Sequence, residues 1–201
     1  MAQLSPLLAQ AAPHIAHRAI RNRGTLGGSL AHADPASEWP ACVLALDGTL
    51  VIAGASGERR VAAADFFQGL YTTALREGEL LAAVEFHLPA PGERHAFDEL
   101  ARRHGDYAVV GLAARARWDG MALAEVRLAF LSLGDRPLRA RRAEALLQDG
   151  RLDAARIDAA DAALRAELQP FADLTHSPAA KTQLAATLMR RAVRGLTALP
   201  A

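Results

Sequence analysis

Among its 201 positions the chain has one cysteine, Cys42, one lysine, Lys181, and only 5% aromatic residues. A single cysteine excludes an internal disulfide. It also excludes an iron–sulfur cluster or a cysteine-rich zinc site built from this chain alone. In the apolar run Ala41-Cys42-Val43-Leu44 the thiol reads as a small buried hydrophobe, in keeping with a reducing compartment. No run of about 18 apolar residues occurs, and no basic segment precedes a short apolar one. Neither membrane insertion nor a secretory signal is therefore expected, and the expected location is cytoplasmic. The formal net charge is +1, which gives no electrostatic footprint for nucleic acid or a membrane surface.

What remains is an ordinary globular composition, 51% hydrophobic, long enough for one large or two small domains with a real core. Arginine supplies nearly all the positive charge, and its densest cluster, Arg139, Arg141 and Arg142, reads as a solvated helix face. His14 and His17 are three apart, but no further ligand completes a metal set. No Ser-His-Asp or Cys-His arrangement is apparent, and no catalytic residue is assigned.

The most informative stretch is Arg21 to Glu38, Arg-Asn-Arg-Gly-Thr-Leu-Gly-Gly-Ser-Leu-Ala-His-Ala-Asp-Pro-Ala-Ser-Glu. Gly27 and Gly28 lack a Cβ, so the backbone there can take positive φ and come close to a ligand. Successive amides in such a turn converge on one point and suit a pyrophosphate. The hydroxyls of Thr25 and Ser29 flank them, and Leu26 completes the expected loop Thr25–Ser29. Asp34-Pro35 reads as a turn or the start of a helix. It is not a P-loop, because no Gly-Lys-Ser/Thr follows, nor a Gly-x-Gly-x-x-Gly dinucleotide fingerprint. As a bare pattern, an ordinary glycine turn is the commoner meaning. His32 is open between a bond to a cofactor phosphate or ribose and a plain capping or solvent histidine.

Leu4 to Ala19 has helical spacing broken by Pro13, and Ser37 or Asp34 can cap a helix over Trp39 to Leu46 that ends at Asp47-Gly48. Thr49–Ala53 and Arg60–Ala62 predict a hairpin around Gly54-Ala-Ser-Gly57. Asp65 is expected to cap a short helix bearing Phe66, Phe67 and Leu70. Glu79–Leu88 alternates as a strand and ends at Pro89. The turn-rich segment Pro89-Ala-Pro-Gly-Glu-Arg separates two expected units, residues 1–89 and 94–198. In the second, His95–Arg102, Ala108–Trp118 and Ala122–Leu133 read as three antiparallel strands, with Asp119-Gly120 as a hairpin turn. Ala140–Gln148, Asp153–Gln169 and Pro178–Leu196 read as three helices. The fold class expected is α+β, with the helices on one face of a three-stranded sheet.

Arg21 to Ala36 resembles the second FAD-binding motif in the FAD-binding (medium) subunit of molybdenum hydroxylases, the carbon monoxide dehydrogenase and xanthine dehydrogenase families. The resemblance continues through Gly57-Glu-Arg-Arg-Val61, Asp65-Phe-Phe-Gln-Gly69, Ala101-Arg-Arg-His-Gly-Asp-Tyr-Ala-Val-Val-Gly111 and Arg136-Pro-Leu-Arg-Ala140. It implies that residues 1–89 form the second FAD-binding subdomain of the vanillyl-alcohol-oxidase type and 94–198 a C-terminal flavoprotein domain. It implies FAD as cofactor, with Thr25, Leu26, Gly27, Gly28, Ser29, His32 and Asp34 around it. Glu38 stands where relatives often have a cofactor-contacting Asp. Leu81 matches a residue that packs on the flavin, with a strand core residue as the alternative. Tyr107 and the loop from Arg102 match the flavin-side loop, with a hairpin-corner tyrosine as the alternative. Asp98-Glu99 falls where relatives commonly carry a Lys near the flavin.

The resemblance also implies partners: a large molybdopterin subunit and a small subunit with two 2Fe–2S clusters, from which electrons pass to FAD. The family's first, Ala-Gly-Gly-type motif has no counterpart here, since the first glycine is Gly24. A truncated or split subunit is therefore expected, with a separate N-terminal FAD-subdomain chain or a scaffold without FAD as its variants. A flavoprotein with its own substrate is the other rival, and no covalent flavin attachment site is visible.

Overall fold

The computed structural model describes residues 5–148 and 150–198. Leu4, the expected start of the first helical segment, lies outside the described residues. The chain opens with two short helices, α1 (Pro6–Ala11) and α2 (Arg18–Arg21), then α3 (Leu26–His32) and α4 (Glu38–Ala45). Pro6 occupies the first turn of α1, where a missing amide costs no intrahelical bond. Strands β1 (Thr49–Gly54) and β2 (Gly57–Ala62) form the expected hairpin, with Gly54 opposite Gly57. After α5 (Ala63–Phe66), a small hairpin of β3 (Phe67–Gly69) and β4 (Thr72–Thr73) leads to β5 (Leu80–Glu85), which pairs antiparallel with β1. Here the expectation is corrected: Asp65 lies inside α5 rather than capping it, Phe67 begins β3, and Leu70 is exposed.

The second half is built on β6 (Glu93–Leu100), β7 (Val110–Trp118), β8 (Leu123–Leu131) and β9 (Leu138–Arg139), in that spatial order. The expected three-stranded sheet is thus four-stranded. Strand β9 is two residues long, too short for any alternation to show in the sequence. Three helices follow, α6 (Arg141–Leu147), α7 (Ala154–Glu167) and α8 (Pro178–Thr197). The Asp153 side chain caps α7 by accepting from the Arg156 amide at 2.8 Å, and Ser177 caps α8 through the Ala180 amide at 3.2 Å.

The β6–β9 sheet is covered on both faces. Val110, Leu112, Ala114 and Ala116 of β7 pack with Leu128 and Phe130 of β8 against Leu147, Leu164, Leu188 and Met189 of α6, α7 and α8. Successive strand residues point to opposite faces. Ala113, Ala129 and Leu131 therefore join a second core with Leu7 of α1 and Cys42, Val43 and Ala45 of α4. Small residues at 111, 113 and 129 let α4 approach; a Cβ on Gly111 would lie 2.6 Å from the Leu131 side chain. Covering both faces explains why Val110 to Ala116 is buried without interruption. It also corrects the expected arrangement, in which helices covered one face only.

Charge fastens α4 to this sheet. Asp47, just past the α4 C-terminus with φ of 50°, accepts from Arg115 Nη2 at 3.0 Å, Arg127 Nε at 2.7 Å and Arg139 Nη1 at 2.9 Å. Arg139 also donates from Nε to Glu144 at 2.9 Å, and Glu144 accepts the Leu128 amide at 2.8 Å. Arg139 is therefore not part of a solvated helix face: it sits on β9, with its side chain 12% exposed, between two carboxylates. Arg141 and Arg142 are exposed on α6, as expected.

Candidate cofactor cleft

Thr25 ends an extended segment, with φ of −126° and ψ of 153°, and its Oγ1 accepts the Gly28 amide at 3.0 Å. A threonine that caps in this way starts a helix. Leu26–His32 is accordingly α3, and neither Gly27 nor Gly28 has positive φ. The expected tight loop is corrected to a capped first helical turn. The physical reason is that the Thr25 hydroxyl satisfies the Gly28 amide within an ordinary helical backbone, so no left-handed conformation is required. The glycines matter through space instead. A Cβ on Gly27 would meet nothing within 4 Å, while one on Gly28 would lie 2.9 Å from Thr25 Oγ1. Helix α3 ends at Ala33, left-handed at φ 53°, and the Asp34 carboxylate then accepts the Ala36 amide at 2.9 Å. Ser29 and Ser37 join the two helix starts through a 2.8 Å hydroxyl–hydroxyl bond.

These elements form one wall of a cavity of about 720 Å³, within the range of roughly 300–1,000 Å³ usual for small-molecule and cofactor sites. Of the residues singled out from the sequence, Thr25, Leu26, Gly28, Ser29, His32, Asp34, Glu38 and Tyr107 line it, and Gly27 lies in the same helical turn. Leu81 does not. It sits on β5 opposite Ile52, half-buried against the core of the N-terminal half, because strand alternation turns it inward and leaves Leu80 exposed.

The facing wall is the loop that precedes β7. Gly105 has φ of 87°, and a Cβ there would lie 2.6 Å from the His17 ring, so this corner requires glycine on both counts. Gly105, Asp106 and Tyr107 all face the cavity, and Tyr107 is 74% exposed. The Asp34 carboxylate is the main influence holding the Tyr107 phenol above its ordinary value, which places the two walls within electrostatic reach of each other. Arg21 braces the cavity end by donating to the carbonyls of Ile15 and Ala16, both at 2.7 Å. Arg21, Arg23, Ile20 and Trp39 also line the cleft and had not been assigned to it from sequence. The signal was present for the arginines, which immediately precede the Gly-Thr-Leu-Gly-Gly string.

Two buried carboxyls, Glu38 in the cleft wall and Glu99 of β6, are pushed toward their neutral form. Glu38 is 7% exposed, and burial pushes its carboxyl up. Glu99 has its side chain 5% exposed, with Oε1 3.4 Å from His14 Nδ1 and Oε2 without a hydrogen-bond partner among the described residues. Burial first, then the charges of Glu38 and Asp98, push the Glu99 carboxyl up to about 7 from 4.5. A carboxyl whose folded value is raised contributes stability at low pH and loses it as pH climbs through the folded value. Glu99→Gln should therefore match the parent chain below about pH 4.5 and exceed it in stability above pH 7. The widening gap amounts to roughly 3 kcal/mol at most, at about 1.4 kcal/mol per pH unit. Denaturant unfolding at several pH values checks this; parallel profiles for the two proteins would refute it.

The cleft thus has apolar and aromatic walls, with hydroxyls and first-turn amides at one end, on an α+β frame. Two family models cover nearly the whole chain: the FAD-binding domain in molybdopterin dehydrogenase over residues 1–91, and the CO dehydrogenase flavoprotein C-terminal domain over residues 95–196. The chain belongs to this family, the FAD-binding medium subunits of CO dehydrogenase and xanthine-type hydroxylases.

Among its relatives is the 6-hydroxypseudooxynicotine dehydrogenase complex subunit alpha of Paenarthrobacter nicotinovorans, 36% identical over 95% of this chain and 65% of the relative. The carbon monoxide dehydrogenase medium chain of Hydrogenophaga pseudoflava is 34% identical over 94% of this chain and 66% of its own length. The chain thus spans just under two thirds of these relatives. The solved carbon monoxide dehydrogenase of the same organism superposes with a TM-score of 0.93 at 35% identity, over 97% of this chain and 68% of that one. Quinoline 2-oxidoreductase from Pseudomonas putida 86 gives 0.89 at 38% identity, over 97% and 68%. No helix among the described residues is long and apolar enough to cross a membrane.

Proposed function

We propose that this chain is the FAD-binding, electron-transferring part of a molybdenum hydroxylase. In this reading it takes electrons from the iron–sulfur clusters of a small subunit, which are filled from a molybdenum centre on a large subunit. The observation that carries the reading is the two-walled cleft, in which the Thr25 turn faces Tyr107, 82 positions further along the chain, a geometry that suits a long ligand with a charged middle and a flat end. The residues fit FAD. Thr25, Ser29 and the first-turn amides of α3 would hold the pyrophosphate, with His32 and the cations of Arg21 and Arg23 close by. The open space over Gly27 would leave room for an anionic group. Glu38, whose carboxyl burial pushes up, lines the cleft where it would hydrogen-bond a ribityl or ring atom.

When bound, the flavin supplies the redox chemistry, exchanging electrons singly with clusters and in pairs with an acceptor. The chain's own contribution is binding, orientation and exclusion of water; Tyr107 and Trp39 would shield the ring. We assign residues 1–89 to the second FAD-binding subdomain of the vanillyl-alcohol-oxidase type and 94–198 to the C-terminal flavoprotein domain, and place the complex in the cytoplasm. The relatives are longer, and the remaining FAD contacts belong to a second glycine-bearing segment, in the same polypeptide or a separate one. Leu81 packs behind α3 in this reading rather than against the ring.

The test is to purify the complex through a tag on this chain and record its absorbance. One flavin per copy, with iron–sulfur bands from copurified subunits and bleaching by the substrate of the large subunit, is expected. A tagged chain that brings down neither flavin nor a molybdenum-containing partner would refute the assignment.

A further inference from the structure

Tyr71 is exposed to 55% of its surface, yet its backbone is fixed in the left-handed region, at φ 52°, in the turn between β3 and β4. A bulky aromatic residue adopts that conformation only where its surroundings hold it, and such positions cluster at functional sites. The ring does not fold into a core. It lies against the imidazole of His32, ring centroids 4.9 Å apart and tilted by 31°. His32 in turn lines the cleft from the last turn of α3. Tyr71 is also close enough to Tyr107 to influence its phenol, so it belongs to the same rim.

We infer that Tyr71 is a positioning residue for the cofactor cleft: its strained turn presents a flat ring that sets the plane of the His32 imidazole, so that an imidazole N–H points at an anionic group of the ligand. The inference rests on the functional reading above, with the FAD pyrophosphate as the anionic group. Unstacked, a half-exposed histidine would sample several rotamers and lose most of its directional bond. The ring face, and not the phenol oxygen, does the positioning.

The variants are Tyr71→Phe, Tyr71→Gly, His32→Ala and the Tyr71→Gly/His32→Ala pair. Glycine accepts the left-handed backbone freely, so Tyr71→Gly should fold at least as firmly as the parent chain. Loss of function in it cannot then be ascribed to unfolding, and a thermal melt verifies this. In the chain labelled at histidine nitrogen and without flavin, the His32 resonances of Tyr71→Phe should match the parent. Those of Tyr71→Gly should move. In the assembled complex, FAD should dissociate about five- to twenty-fold more readily from Tyr71→Gly and normally from Tyr71→Phe. Tyr71→Gly should add nothing further to His32→Ala, because a residue that acts through another is non-additive with it.

Unchanged His32 resonances in Tyr71→Gly, or effects on FAD release that simply add, would overturn the inference while leaving the flavin assignment intact. A parent complex without flavin would overturn both, which separates the two failures.

Discussion

In the assembled enzyme, Gly28→Val should leave a folded complex that has lost its flavin, with affinity reduced at least a hundred-fold. The added Cβ lands 2.9 Å from Thr25 Oγ1, and the further methyl groups project into the cleft that Gly28 lines. Two effects combine: the threonine is driven off the Gly28 amide it accepts at 3.0 Å, and the space for the ligand closes. Loss of a cap costs about 1 kcal/mol of helix stability, too little to unfold a chain with this much core. Thr25→Ala isolates the capping contribution and should retain part of the flavin. Gly27→Ala places a methyl group where nothing stands within 4 Å, so its fold should be unaffected and any loss of flavin reports the ligand alone. Flavin content is read from absorbance after gel filtration. A Gly28→Val complex with one flavin per copy would show that the turn does not hold the cofactor.

Asp47→Ala is expected to destabilise the fold by about 2–4 kcal/mol. Removing one partner of a buried ion pair leaves the other charge desolvated and alone, at a cost of roughly 3–5 kcal/mol. Three facts set the figure here. Arg115 has its side chain 5% exposed and keeps only Glu93, at 3.8 Å, and the His87 ring. Arg139 keeps Glu144. Asp47 itself is 40% exposed, so water partly replaces it, which lowers the expectation from the buried-pair value. Asp47→Asn retains the acceptor oxygen without the charge and should fall between. Urea midpoints measure all three chains, and an Asp47→Ala loss below about 0.5 kcal/mol would mean that the three arginines are satisfied without it.

The residues around Gly27 were legible because a cap, two glycines and two hydroxyls act through their immediate neighbours along the chain. The detail that failed, a positive-φ loop where the chain is helical, failed because Thr25 can satisfy the Gly28 amide in either geometry and the helix satisfies more groups. Leu81 was ambiguous for a different reason: which side of a strand faces a cleft depends on what packs against each face. Tyr71 carried no signal, since an exposed tyrosine near a turn is ordinary until its ring is found on His32.

The sequence by itself determined the Gly54–Gly57 hairpin, the helices α7 and α8 and the hydroxyl-and-glycine stretch Thr25–Ser29, all set by bonds between residues a few positions apart. Tertiary structure alone decided that β9 completes the sheet and that α1 and α4 cover its second face. It also gathered three arginines, 68 to 92 positions away, on Asp47 and brought Tyr107 opposite Thr25. Those outcomes depend on which buried surfaces match once the elements exist. Shape and charge complementarity across such separations leave no periodic trace in the order of the residues.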